Sequence, residues 1–277
     1  MLDCLCERFP GVTRLEWISR FARERVLDEQ GRPLSIDAPH RTGVSIQYFR
    51  EVAAETPIPF VENILFADAH LVVVDKPHFV PVIPTGRFVT QCLLHRLIQR
   101  LGNPLLVPLH RLDRATAGLV LFSAVPATRS AYQALFREQR IDKHYEAIAA
   151  PLQDIAEFPH QRSTRLVTGV PFFRTCEIDG VANSLTRIDV LERGNTFWRY
   201  ALNPITGKKH QLRVHMAALG APIRNDDFYP VLAENAGNDW RHPLQLVARR
   251  LEFVDPLSGQ SRRFDSQREL LPLSSLD

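Results

Sequence analysis

"PLHRLDRATAGLVLFSA", residues 108–124, carries an acid, a turn and a strand in that order. Asp113 lies between Arg111 and Arg114, small residues follow from Ala115 to Gly118, and an apolar run begins at Leu119. An apolar run of this length without polar alternation reads as a strand covered on both faces. A carboxylate held between cations stays ionised, because an opposite charge within a few ångströms lowers its pKa by ~1–3 units. Such an Asp is a poor general acid and suits a nucleophile, or a base that must be anionic when substrate arrives. The plainer reading of the same residues is an ion pair at the mouth of a turn.

Working outward, "HLVVVDKP" (70–77) is a second continuous run rich in β-branched residues and stopped by proline, a buried strand. "RFVTQCLLHRLIQRLG" (87–102) places Val89, Leu93, Leu97 and Leu101 at helical intervals and ends on Gly102. "PATRSAYQALFREQR" reads as a helix with proline at its start, and "KHYEAIAA" as a strand. Further strands are expected over 183–193, 197–204 and 244–256, and a helix over 208–219 with Leu212, Met216 and Leu219 on one face. Residues 151–182 lack periodicity and read as a long loop or irregular insertion. Nearer the start, Thr13 and Glu16 form a capping-box pattern ahead of a helix over about 14–25, with Leu15, Ile18 and Ala22 as its apolar stripe. "VLDEQGRPL" follows as strand, turn and strand. Pro57 and Pro59 mark residues 53–60 as a linker. Strands outnumber helices and often succeed one another directly, which predicts an α+β fold on a mixed, largely antiparallel sheet. The organisation expected is a small N-terminal α/β module, a helix plus hairpin over residues 1–55, followed by a larger domain over 60–277.

Composition narrows the function classes. The 277 residues are 45% hydrophobic and 23% charged, and no apolar stretch approaches the ~18–20 residues that span a bilayer. No membrane association is expected. The start, "MLDCLCERFPG", has acids where a secretory leader would be basic, which predicts a cytoplasmic protein. Four cysteines at 4, 6, 92 and 176 have neither disulfide-scaffold density nor zinc-site spacing, so reduced thiols are expected. The net charge of +3 is small, yet unevenly spread. Residues 85–115 hold five Arg (87, 96, 100, 111, 114) against the single acid Asp113, and residues 203–250 hold Lys208, Lys209 and five Arg against four acids. Arg96, Arg100, Arg114, Lys208 and Arg224 are candidates for nucleic-acid backbone contacts. His210 and His215 stand five apart rather than at the i, i+4 spacing of two metal ligands on one helical face. No metal site, Gly-rich phosphate loop or nucleotide cofactor is expected. His110 beside Asp113 invites a hydrolase reading, but without a Gly-x-Ser-x-Gly elbow a supporting hydrogen bond is the better expectation.

"HRLDRATAGLVLF" resembles the signature of the RluA-type family of RNA pseudouridine synthases. Three further segments resemble that family's motifs in the same order: "VVVDKPHFVPVIPTG" (72–86), "IDKHYEAIA" (141–149) and "PITGKKHQLRVHMAALGAPIRNDDFY" (204–229). The resemblance spans about residues 60–256, and the N-terminal module is similar in layout to the small RNA-binding module that precedes many members. It implies site-specific isomerisation of uridine to pseudouridine in structured RNA, an rRNA or tRNA stem-loop, with no cofactor, no external energy source and no obligatory protein partner. It also implies roles: Asp113 as the catalytic carboxylate, Arg213 as the cation that pairs with and orients it, and Tyr145 as the aromatic against the target base. Arg111 would enter the RNA where the flipped nucleotide leaves a gap. Lys208 and Lys209 stand where the family commonly has Arg and a small polar residue, and imply phosphate contact as point charges. Val247 departs from a position near which members often carry His. A protein of this fold that binds RNA without modifying it is the alternative.

Overall fold

The computed structural model describes residues 1–48, 55–86, 88–234 and 239–276. The chain divides into two compact units, residues 1–54 and 55–277. In the first, α1 (Leu2–Arg8), α2 (Arg14–Ala22), β1 (Val26–Leu27) and β2 (Gln47–Tyr48) surround a core of Leu2, Leu5, Trp17, Phe21 and Val26. The Thr13–Glu16 capping box forms as expected: Thr13 Oγ1 accepts from Glu16 N–H, and the Glu16 carboxylate accepts from Thr13 N–H. The buried stripe of α2 is Trp17 and Phe21, while Leu15 and Ile18 face outward. Helix α1, which the sequence reading missed, supplies Leu2 and Leu5 to the aromatic side, and two large rings bury more area there than Leu15 and Ile18 could. The expected hairpin is also altered. β1 pairs with β2, and the segment after the turn makes only an isolated bridge, Leu27 to Pro33; proline has no N–H with which to extend a ladder.

The second unit contains β3 (Asn63–Ala67), β4 (Leu71–Lys76), α3 (Leu93–Leu101), β5 (Val107–Pro108), β6 (Ala117–Ser123), α4 (Pro126–Arg137), β7 (Ile141–Ala149), β8 (His160–Thr168), β9 (Thr175–Ile178), β10 (Ser184–Arg193), β11 (Trp198–Pro204), α5 (Gln211–Ala218), β12 (Leu246–Val254) and β13 (Ser261–Asp265). They form one sheet in the order β3-β4-β6-β12-β7-β11-β10-β8-β9, with β5 on β6 and β13 on β12. Among the described residues only the β6–β12 pairing is parallel. The fold is α+β on a mixed, largely antiparallel sheet.

Period-two alternation explains the continuous apolar runs. Val72, Val74, Val120 and Phe122 face a core shared with Leu93 and Leu97 of α3. Leu71, Val73, Leu119 and Leu121 face the opposite core with Tyr132 and Leu135 of α4. β4 and β6 are thus covered on both sides, as parallel-type strands usually are. Helix α5 packs over the other half of the sheet, where Leu212 and Met216 meet Ala147, Tyr200 and Leu202.

Three expectations are corrected. Residues 151–182 hold two strands, β8 and β9; the side chains of β8 are mostly exposed or half-buried, so they show no apolar alternation to read. Helix α3 begins at Leu93, because the N–H groups of Val89, Thr90 and Gln91 donate to the Glu55 carboxylate instead of entering the helix; Arg87 lies outside the described residues. The linker expected over 53–60 is not free where it is described: Ile58 is buried against α3 and its N–H donates to Gln91, while residues 53 and 54 lie outside the described residues.

Candidate active site

Asp113 stands on the loop between β5 and β6, which is held from outside at the carbonyls of Arg114 and Ala115 and from within at that of Asp113. The buried Lys76 ammonium, at the end of β4, donates to the carbonyls of Pro77, Val80 and Arg114. His78 Nδ1 donates to Ala115 O at 2.6 Å, and Thr116 N–H donates to Asp113 O. His110 Nε2 accepts from Leu121 N–H at 3.1 Å, and its ring stacks on Phe136. Burial, with Lys143 nearby, pushes His110 down to about 3. Its ring is therefore neutral, and Nε2 is occupied in bracing the loop, which is the supporting hydrogen bond expected of it.

The loop aims Asp113 at helix α5, one hundred residues away in sequence. Arg213 Nη1 donates to Asp113 Oδ2 at 3.2 Å, and the guanidinium is 3% exposed. Its remaining edge is taken by Asp226, which accepts from Nε at 2.8 Å and from Nη2 at 2.6 Å. Asp226 is itself fixed by the N–H groups of Phe228 and Tyr229. One cation thus lies between two carboxylates, a rigid bidentate grip on one side and a single bond on the other. Burial raises the Asp113 carboxyl, but His210, Arg213 and Lys76 outweigh it and hold it below the usual carboxylate range. Burial also pushes His210 itself down to about 4, so at neutral pH its ring is uncharged. Arg213 is then the cation that holds Asp113 ionised, since burial lowers its affinity for a proton less than the two carboxylates raise it.

Asp113, Arg111, Tyr145, Arg213 and Lys208 all line one open cavity of about 1290 Å³, larger than the ~300–1,000 Å³ typical of small-molecule sites. Tyr145, on β7, has its phenol raised by burial and by the Asp113 carboxylate. Arg111 and Lys208 are exposed, free of the sheet that fixes Tyr145. The Lys208–Lys209 turn is shaped by Gln211, whose Oε1 accepts from Thr206 Oγ1 and Lys208 N–H while Nε2 donates to Leu185 O. Of the other candidate cations, Arg114 also lines the cavity, whereas Arg96 and Arg100 do not. Arg96 is spent on the carbonyls of Ile58 and Phe60 and on Glu62, and Arg100 reaches Glu62. Arg224 lies over the Phe197 ring, away from the cavity. Val247 is fully buried in β12, where a polar contact could not reach substrate.

A family model described as RNA pseudouridylate synthase matches residues 70–218. The chain belongs to this family. Among the relatives of this RNA pseudouridine synthase is the dual-specificity RNA pseudouridine synthase RluA of Haemophilus influenzae, 30% identical over 75% of this chain and 93% of that one. A mitochondrial tRNA pseudouridine(32) synthase of Saccharomyces cerevisiae is 28% identical over 69% of this chain and 43% of that one. The solved structure of human RNA pseudouridylate synthase domain containing 1 shares the fold, with a TM-score of 0.63 at 24% identity over 81% of this chain and 89% of that chain. The synthase isomerises uridine to pseudouridine in RNA.

Several groups around Asp113 were invisible to the sequence reading. Asp226 lies inside the quoted 204–229 block, but nothing in its spacing from Arg213 marks the two as partners. Lys76, His78 and Gln211 also stand inside quoted segments, but they act through backbone carbonyls and amides, so their partners cannot be read from side-chain types. The turn of β8 into β9 also brings Phe173 to the cavity, from the segment read as irregular.

Proposed function

We propose that Asp113 is the group that attacks the target uridine, and that the substrate is a structured RNA, an rRNA or tRNA stem-loop. The observation that carries this reading is the Asp226–Arg213–Asp113 chain at the edge of the cavity: it keeps one carboxylate anionic, oriented and 27% exposed where a nucleotide can enter. With Asp113 bonded to the substrate, the N1–C1′ bond breaks, the freed uracil turns, and C5 bonds to C1′. The C5 proton is lost, N1 gains one and the carboxylate is released, so the product has the atoms of the substrate. Electrostatic preorganisation suits this sequence, because Asp113 begins and ends as an anion.

Tyr145 offers a flat face to the extracted base, and stacking of this kind is worth ~1–3 kcal/mol per base. Arg111, exposed at the mouth, is placed to fill the space that the flipped nucleotide leaves, offsetting the few kcal/mol that flipping costs. Lys208, with Lys209, contacts phosphate. Support for rRNA or tRNA comes from the relatives, one named for tRNA and one for dual specificity. Residues 1–55 we read as an accessory RNA-contacting module that precedes the catalytic domain, and the compartment as the cytoplasm.

Mapping pseudouridines in total RNA from cells with and without the gene tests this reading. A position lost on deletion should return with the wild-type chain and stay absent with Asp113→Asn, which should still bind RNA. If Asp113→Asn restores the position, Asp113 is not the attacking group. If wild-type protein binds RNA and leaves every uridine unchanged, the alternative of an inactive RNA-binding protein holds instead.

A further inference from the structure

The two oxygens of Asp113 are not equivalent. Oδ2 accepts from Arg213, while Oδ1 lies 3.7 Å from Nε2 of His210, the residue that precedes α5 with φ at 55°. The other ring nitrogen, Nδ1, is 2.8 Å from the hydroxyl oxygen of Tyr229, and that oxygen accepts from Thr175 N–H at 2.7 Å. Tyr229 is 5% exposed, so its hydroxyl proton needs a partner inside the protein, and His210 Nδ1 is the acceptor within reach. If Nδ1 carried the proton instead, the Tyr229 hydroxyl hydrogen would be stranded and Nε2 would turn a lone pair toward a carboxylate. Thr175, Tyr229 and His210 therefore form a line of donors that leaves the ring proton on Nε2, aimed at Asp113.

We propose that His210 is a positioning residue for the isomerisation, donating from Nε2 to Asp113 Oδ1, with Tyr229 fixing the tautomer that makes this possible. The present 3.7 Å lies just beyond hydrogen-bond range, and bonds of this kind tighten when substrate arrives. With Arg213 on one oxygen and His210 on the other, the plane of the carboxylate is set in the cavity. The inference rests on the reading of Asp113 as the attacking group, but it has a readout that needs no turnover.

His210→Asn separates positioning from folding. Asparagine tolerates positive φ, and its amide ends where Nδ1 stands, so it keeps the Tyr229 contact but cannot reach Asp113. The expected result is the wild-type thermal midpoint, kcat lowered about tenfold or more, and KM for RNA within about twofold. His210→Gln, whose amide extends to where Nε2 stands, should recover part of the lost kcat. In the unliganded wild-type enzyme, nitrogen-15 NMR should find the His210 proton on Nε2, and Tyr229→Phe should redistribute it between the two nitrogens. The proposal is overturned if His210→Asn keeps kcat within about twofold, if the loss falls on KM instead, or if the wild-type ring carries its proton on Nδ1. An active Asp113→Asn together with an Nε2 proton would sink the reading of Asp113 and leave the tautomer standing.

Discussion

Asp226→Asn preserves the shape of the group that grips Arg213 and removes its charge. Hydrogen bonds to charged groups are worth ~1.5–3 kcal/mol, and the bidentate side of the guanidinium would be left against an amide that presents its own N–H groups. Arg213 should then lose its fixed angle to Asp113, with kcat falling about tenfold to a hundredfold. The pH dependence carries a second readout. The folded-state pKa of Asp113 is depressed, so its anion is present above the ordinary carboxylate range and is lost only as pH falls through the lowered value. The wild-type rate should have no acid limb from this group between about pH 5 and 8. With Arg213 loosened, burial is opposed less strongly, and the limb of Asp226→Asn should appear at higher pH; superimposable pH–rate profiles would show that Arg213 does not depend on Asp226.

At the scale of elements, the site depends on how closely β6 approaches β12. Gly118 has φ at 111°, and a Cβ there would lie 2.3 Å from Ala248 O. Both strain and collision are with backbone, which cannot yield without breaking the one parallel pairing among the described strands. Gly118→Ala should lose more than about 3 kcal/mol of stability. Gly102 provides the comparison, since it caps α3 with φ at 64° and has open space around its Cβ position. Gly102→Ala should cost only about 1 kcal/mol. Urea unfolding of the two variants reads the difference, and equal losses would mean that the approach of the strands is not tight. The same junction holds the floor of the Asp113 loop, because residues 117 and 118 are where β6 leaves that loop and meets Val247 and Ala248.

For the whole molecule the net charge of +3 is too small to hold RNA by itself, so affinity must come from where the cations stand. Lys208 lines the cavity and is exposed, whereas Arg96 is occupied within the fold. Lys208→Ala should weaken RNA binding evenly across sequences and reduce the slope of log affinity against log salt by about 1, while Arg96→Ala leaves that slope unchanged. Filter binding over a salt series decides it, and equal slopes for Lys208→Ala and wild type would remove Lys208 from the phosphate contacts. Arg96 illustrates why the sequence misleads here: it shows that a residue is cationic, not whether a carbonyl already holds it. β4, β6, α3 and α4 were legible because their burial follows a local period, and Asp113, Tyr145 and Arg213 because they stand in motifs with fixed neighbours. β8 was not, since an edge-region strand with exposed side chains has no apolar rhythm. The sequence alone determined which chemistry is present: a carboxylate kept ionised, an aromatic face and cations around them. Only the tertiary structure decided that Asp226 grips Arg213, that Lys76 and His78 pin the Asp113 loop, and that the Tyr229 hydroxyl meets His210 Nδ1. Those bonds join groups 13 to 100 residues apart or run through backbone atoms common to every residue, and no local pattern of side chains can encode a distance that exists only after the strands have paired.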